Sequence, residues 1–181
     1  MTLTRKLLIA LGVLLLIPIV AIVTLLVASG YTDGASSPVF GGGALASGEL
    51  VGGPEPDWSF ARDLPTIELQ LLNPPRSRVI WIVEHEGKPY VVSGYMGSTI
   101  GRLWKHWPAQ AERDGRAVVR IAGKRYERTL KRIKTGPEVE GVAAELRRKY
   151  RYRVTPADIE AGTTWLFELA PRNPATAGAS R

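Results

Sequence analysis

The longest hydrophobic block comes first. From Leu7 to Ala28, twenty-two residues pass without a charge. At ~1.5 Å per residue a helix of that length reaches ~33 Å, matching a hydrocarbon core of ~30 Å. Gly12 and Pro18 interrupt it, and lipid-embedded helices tolerate both because the freed backbone groups are re-satisfied locally. The pattern predicts a transmembrane anchor over 7–28 that contacts the bilayer. A cleaved signal peptide competes with it, but such apolar regions usually run ~7–15 residues. Arg5 and Lys6, with no acid opposing them in 1–6, place that short N-terminus in the cytoplasm. The chain then reads as a single-pass cell-membrane protein with an extracytoplasmic C-terminal domain.

Beyond the span the pattern changes twice. Residues 29–56 are Gly, Ala, Ser and Pro with scattered apolars. That composition buries too little surface to offset ordering entropy and predicts a flexible linker. Residues 57–170 then alternate turn signals with β-rich runs, and 171–181 predicts a disordered tail. Within the domain, Ile67–Leu71 alternates with period two, a strand with one wet face. Val79–Val83 is apolar throughout, a strand covered on both faces. Glu86-Gly87-Lys88 turns the chain, and Tyr90–Ser93 returns as its partner. A helix is expected over Ile100–Ala111, cut short or split at Pro108. A second hairpin follows over Ala117–Ile121 and Arg125–Ile133, then a helix from Pro137 to about Tyr150 and a closing strand over Thr163–Leu169. The fold class this predicts is mainly β with short helices (α+β): a small antiparallel barrel behind one transmembrane helix.

Charge modifies that picture. The net charge is +7, but Arg102–Arg153 carries 16 Lys/Arg against 6 Asp/Glu, while the rest of the chain nets −3. Such asymmetry points to an anionic partner or to a solvated basic face. There is no cysteine, so no disulfide, thiolate nucleophile or cysteine-bound metal can form. The two histidines, His85 and His106, lie 21 residues apart without companion ligands at metal spacing. No metal site is expected, and no nucleophile elbow or glycine-rich phosphate motif is present. Glu84 and Glu86 read as outward, solvated carboxylates.

The order of short patterns resembles a known family. It includes Asp57-Trp58-Ser59-Phe60, Val79-Ile80-Trp81-Ile82-Val83, Gly87-Lys88-Pro89-Tyr90-Val91-Val92-Ser93, Arg102-Leu103-Trp104, Val118–Tyr126 and Leu146–Tyr150. Across about Pro54–Leu169 it is similar to the split β-barrel proteins related to pyridoxamine 5′-phosphate oxidase and to deazaflavin-dependent nitroreductase-like proteins. The resemblance implies FMN or a deazaflavin as cofactor, an oxidoreductase activity and pairing as a homodimer. It also implies that the segment Ser93–Arg102 holds the cofactor phosphate. Ser98, Thr99, Arg102 and Lys105 are the candidates there, since hydroxyls and cations suit an anion. Arg76 and Arg78 are further candidates, because a guanidinium clamps phosphate in a bidentate manner. Trp81, Tyr90, Trp104 and Trp107 could stack on a flavin ring or simply fill the core. The serine–lysine and asparagine–proline run of the better-known oxidases is absent.

Two functions follow from these residues. One is a membrane-anchored, flavin-binding oxidoreductase; the other is a cofactor-free extracytoplasmic module whose basic face holds an anionic small molecule or a partner protein. Nucleic acid is not expected, because the charge bias before the span puts the domain outside the cell.

Overall fold

In a computed structural model of the full chain, residues 2–35, 41–97 and 106–172 are described. Helix α1 spans Leu3–Ser29, is long and apolar enough to cross a membrane, and its apolar stretch is not covered by the rest of the protein, although Ser29 at its end is buried. After it come β1 (Glu49–Leu50), a 3-10 turn (Trp58–Ala61), β2 (Thr66–Leu72), β3 (Pro75–His85) and β4 (Lys88–Ser93). Then follow α2 (Trp107–Arg113), β5 (Arg116–Ile121), β6 (Lys124–Ile133), α3 (Glu138–Tyr150), α4 (Pro156–Glu160) and β7 (Trp165–Pro171). Six antiparallel strands close on themselves in the order β6-β5-β2-β3-β4-β7, with β7 returning to β6. The result is a barrel. Strand β1 lies parallel on the free edge of β6, Leu50 opposite Arg125, just short of where β7 takes over that edge.

Period-two patterning produces this closure. Ile67, Leu69 and Leu71 of β2, Ile80 and Ile82 of β3, and Val119 and Ile121 of β5 point inward with Phe167 and Leu169 of β7. Both hairpins turn on two residues with positive φ, Glu86-Gly87 and Ala122-Gly123, the backbone that matches strand twist. A second apolar layer lies outside the barrel. There Val139, Val142, Ala143 and Leu146 of α3 cover Val83, Tyr90, Val92 and Leu166. Helix α3 has Glu138 and Glu140 in its first turn and Arg147, Arg148 and Lys149 in its last, which complements its dipole.

Several expectations change. Helix α2 begins at Trp107, with Pro108 opening it rather than ending it, because the first turn has no use for the missing N–H. Glu84 is buried, not solvated: it accepts the Gly87 N–H at 2.7 Å and faces Arg62 at 3.4 Å. The expected wet face of β2 is covered, since Gln70 is only 6% exposed and accepts the Leu45 N–H at 2.7 Å. The cover comes from the stretch expected to be a free linker. Its described residues are pinned down by Gly42–Ser77 backbone bonds, a buried Leu45, and Arg125 donating to the Leu45 and Gly48 carbonyls. Composition alone cannot anticipate this, because the stabilising partners are side chains on distant strands. At the other end, Pro171 belongs to β7 and Arg172 pairs with Glu127; 173–181 lie outside the described residues.

Candidate functional site

Two exits from the barrel meet at one place. Strand β4 ends at Ser93, and the chain leaves through Gly94-Tyr95-Met96-Gly97. Helix α3 ends at Tyr150, and the chain returns through 151–155, α4 and 161–164 to start β7. The Met96 N–H donates to the Thr163 carbonyl at 2.9 Å, tying the exits together. Between them opens a cleft of about 600 Å³ lined by Tyr95, Gly97, Arg151, Tyr152, Arg153, Asp158, Thr163 and Thr164. Gly94 is required by close approach, since a Cβ there would collide with the Tyr152 hydroxyl.

Backbone strain is concentrated in this cleft. Four non-glycine residues have positive φ among the described residues. Glu86 and Ala122 serve the two hairpin turns, where such a conformation is ordinary. The other two, Tyr95 (φ 62°) and Arg151 (φ 54°), both line the cleft. Arg151 occupies the position just past a helix end that favours glycine. An L residue with a Cβ costs about 1–2 kcal/mol in that region.

The charges of the cleft are unbalanced. Neither the Arg151 nor the Arg153 guanidinium meets a carboxylate among the described residues. The one acid in the lining, Asp158, is committed elsewhere. It accepts from the Thr155 hydroxyl at 2.7 Å and from the Thr155 N–H at 2.8 Å in a capping box. Hydrogen bonding from Thr155, and secondarily from Thr163, holds its carboxyl below the usual carboxylate range.

Aromatic rings extend from the cleft along the barrel wall. Tyr95 faces Tyr152 at 6.4 Å, Tyr152 meets Trp81 edge-on at 6.0 Å, and Trp81 stacks on Tyr150 at 4.5 Å with planes 6° apart. Trp81 is 41% exposed, an outward ring on an otherwise covered strand. Tyr150 is fixed because its hydroxyl donates to the Ile82 carbonyl at 2.6 Å and accepts the Ile82 N–H at 3.1 Å. Burial pushes that phenol up to about 12.

Inside the barrel a further cation stands alone. Arg128 is neutralised by Glu55 at 2.7 Å, and Arg132 by Glu112 at 3.1 Å, each guanidinium lying over a tryptophan ring. Arg78, on the inward face of β3 and 5.8 Å from the Trp107 ring, has neither hydrogen bond nor carboxylate among the described residues. Desolvation lowers it to about 10. A buried, unpaired charge costs several kcal/mol unless something compensates it.

The structure separates the candidates read from the sequence. Arg78 is half-buried in the barrel, while Arg76 is exposed at the start of β3 against Gly30 at the end of α1, so the two do not form one clamp. Ser98, Thr99, Arg102 and Lys105, with Trp104, lie outside the described residues. Tyr90 and Trp107 are core residues. Arg151, Arg153 and Tyr152 were missed, because a basic helix end reads as dipole compensation and the pairing of 94–97 with 163–164 is long-range. An arginine standing where glycine is favoured was the available signal. Among the described residues no cluster of three or more His, Asp or Glu is placed to hold a metal.

No family model matches the chain, and no curated protein matches it. Among solved structures, it is similar to the conserved hypothetical protein Rv2991 from Mycobacterium tuberculosis. The identity is 10%, with 69% of this chain and 84% of that one covered and a TM-score of 0.48.

Proposed function

We propose that this is a membrane-anchored split-barrel protein whose cleft binds an anionic ligand with a planar aromatic part. A flavin mononucleotide or a deazaflavin has that chemistry. The observation that carries the reading is the pairing of strain with uncompensated charge: Tyr95 and Arg151 are held at positive φ in one cleft, with the Arg151 and Arg153 guanidiniums meeting no carboxylate among the described residues. Strain that folding alone would not select is a mark of a binding site. The residues present fit such a group: Arg151 and Arg153 for a phosphate, and Tyr95 and Tyr152 for a ring face. A bound flavin would supply the electron-transfer chemistry, and this chain's residues would hold and orient it. Helix α1 is read as the anchor and the Arg5-Lys6 bias as setting the domain outside. The test is a visible spectrum of the full-length protein extracted in detergent, followed by titration with FMN and with a deazaflavin. Flavin-like bands or saturable fluorescence quenching, weakened about tenfold or more in Arg151→Gln, are expected. Colourless protein that ignores both ligands removes the reading.

The cofactor-free alternative rests on Arg78, whose unpaired charge inside the barrel accepts a small anion without any ring. It is distinguished by binding of inorganic phosphate that Arg78→Met abolishes and Arg151→Gln leaves unchanged.

A further inference from the structure

Helix α1 does not end in a loose tether. Immediately after it, Thr32 accepts the Gly43 N–H at 3.1 Å, and Gly42 and Ser77 exchange backbone bonds of 2.9 and 3.0 Å. Asp33 meets Arg120 at 2.9 Å, and Arg120 holds Glu68 through bonds of 2.6 and 2.9 Å. Only three residues separate the last helical residue from this ion network, so the barrel is fixed relative to the end of the helix.

That fixation brings one barrel side chain to the helix terminus. A Cβ built on Gly30 would lie 2.6 Å from Arg76 Nη1 and 3.0 Å from its Cζ, so the guanidinium occupies the space beside Gly30 that a side chain would fill. Arg76 is exposed and makes no ion pair or side-chain hydrogen bond with the described residues. The last turn of α1 carries no basic residue of its own. Beside it Tyr31 is 87% exposed, a ring at the position where membrane-spanning helices place interfacial aromatics. A tyrosine and an arginine at one end of a ~33 Å apolar span are the side chains that headgroups accommodate. Here, however, the cation comes from a strand 46 residues further along the chain.

We infer that the β2–β3 end of the barrel rests in the headgroup layer, and that Arg76, seated on Gly30, takes the phosphate of an anionic phospholipid. A planar guanidinium suits a bidentate phosphodiester, and an anionic headgroup attracts a cation that lies within a Debye length of it. The inference rests on α1 being the anchor proposed above.

The chain has no cysteine, so single labels are unambiguous. Full-length protein is placed in lipid nanodiscs with a fluorophore at Pro75→Cys or, at the start of β4 opposite the far end of β3, at Lys88→Cys, and the lipids carry a headgroup quencher. Quenching at position 75 should exceed that at 88 by about threefold or more. It should rise when phosphatidylcholine is replaced in part by phosphatidylglycerol, and Arg76→Gln should remove that rise. Equal quenching at 75 and 88 overturns the inference, as does a rise that Arg76→Gln leaves intact. Alkaline carbonate washing is done first: release of the protein into the supernatant defeats the anchor reading itself, whereas retention with equal quenching defeats only the docking.

Discussion

The face that carries the chain away from α1 and the cleft on the other side of the barrel are both rich in arginine, yet they treat it differently. On the first face Arg120 makes bonds to Glu68, Asp33 and Ser47, and Arg125 donates to two carbonyls. The Arg120 and Arg125 guanidiniums both have partners, and the network holds the chain to the barrel. In the cleft Arg151 and Arg153 meet no carboxylate among the described residues, the nearby acid is occupied by Thr155, and the backbone is strained. Partnered cations hold the fold together; unpartnered cations on strained backbone are retained for something outside the chain. Arg78 belongs with the second group despite its place in the barrel.

The comparison can be broken by substitution. The largest effect is expected for Arg120→Ala, which strips several charged hydrogen bonds from a site only 14% exposed. Unfolding by denaturant should show a loss of about 2–3 kcal/mol. A loss under 0.5 kcal/mol would mean the network is ornamental. Arg78→Met should act in the opposite direction and raise stability by about 1 kcal/mol, since an apolar side chain of similar volume removes a half-buried charge that meets no carboxylate among the described residues. Arg151→Gly should raise it by a smaller amount, about 0.5–1 kcal/mol, because glycine accepts positive φ without a Cβ clash. The same variant should bind the cleft ligand more weakly by isothermal titration, so stability and affinity separate. Destabilisation by Arg151→Gly would place Arg151 among the structural arginines.

The smallest effect concerns pH. Hydrogen bonds from Ser47 and Ala46, with Arg120, hold Asp33 well below the usual carboxylate range. A depressed folded-state value contributes stability that is complete above the unfolded value of about 4 and is lost as pH falls below it. Thermal melts should therefore drop below about pH 4, and Asp33→Asn should flatten that drop while lowering stability at neutral pH.

Local pattern made some of this legible and tertiary contact decided the rest. The hairpin at Glu86-Gly87 was readable because turn chemistry is contained in adjacent residues, and α3 because its apolar positions recur at helical spacing. The fate of 29–56 was not readable. Its Gly- and Ala-rich composition says only that it cannot fold by itself, whereas Gln70, Ser77, Arg120 and Arg125 on strands far along the chain hold it down. The candidate site divided likewise. Arg78 stands out for its chemistry, but that it meets no carboxylate among the described residues is a fact of the barrel interior. Arg151 drew no notice because a cation at a helix C-terminus is unremarkable until its φ is known.

By itself, then, the sequence determined an apolar helix, an antiparallel β domain with two short covering helices, and a surplus of positive charge in its second half. These follow from periodicity, length and charge, which neighbouring residues encode. Tertiary structure decided which arginines are neutralised, that the cleft forms between 94–97 and 151–164, and that Arg76 rests on the end of α1. Those outcomes depend on distances between residues tens of positions apart, and only closure of the barrel fixes such distances.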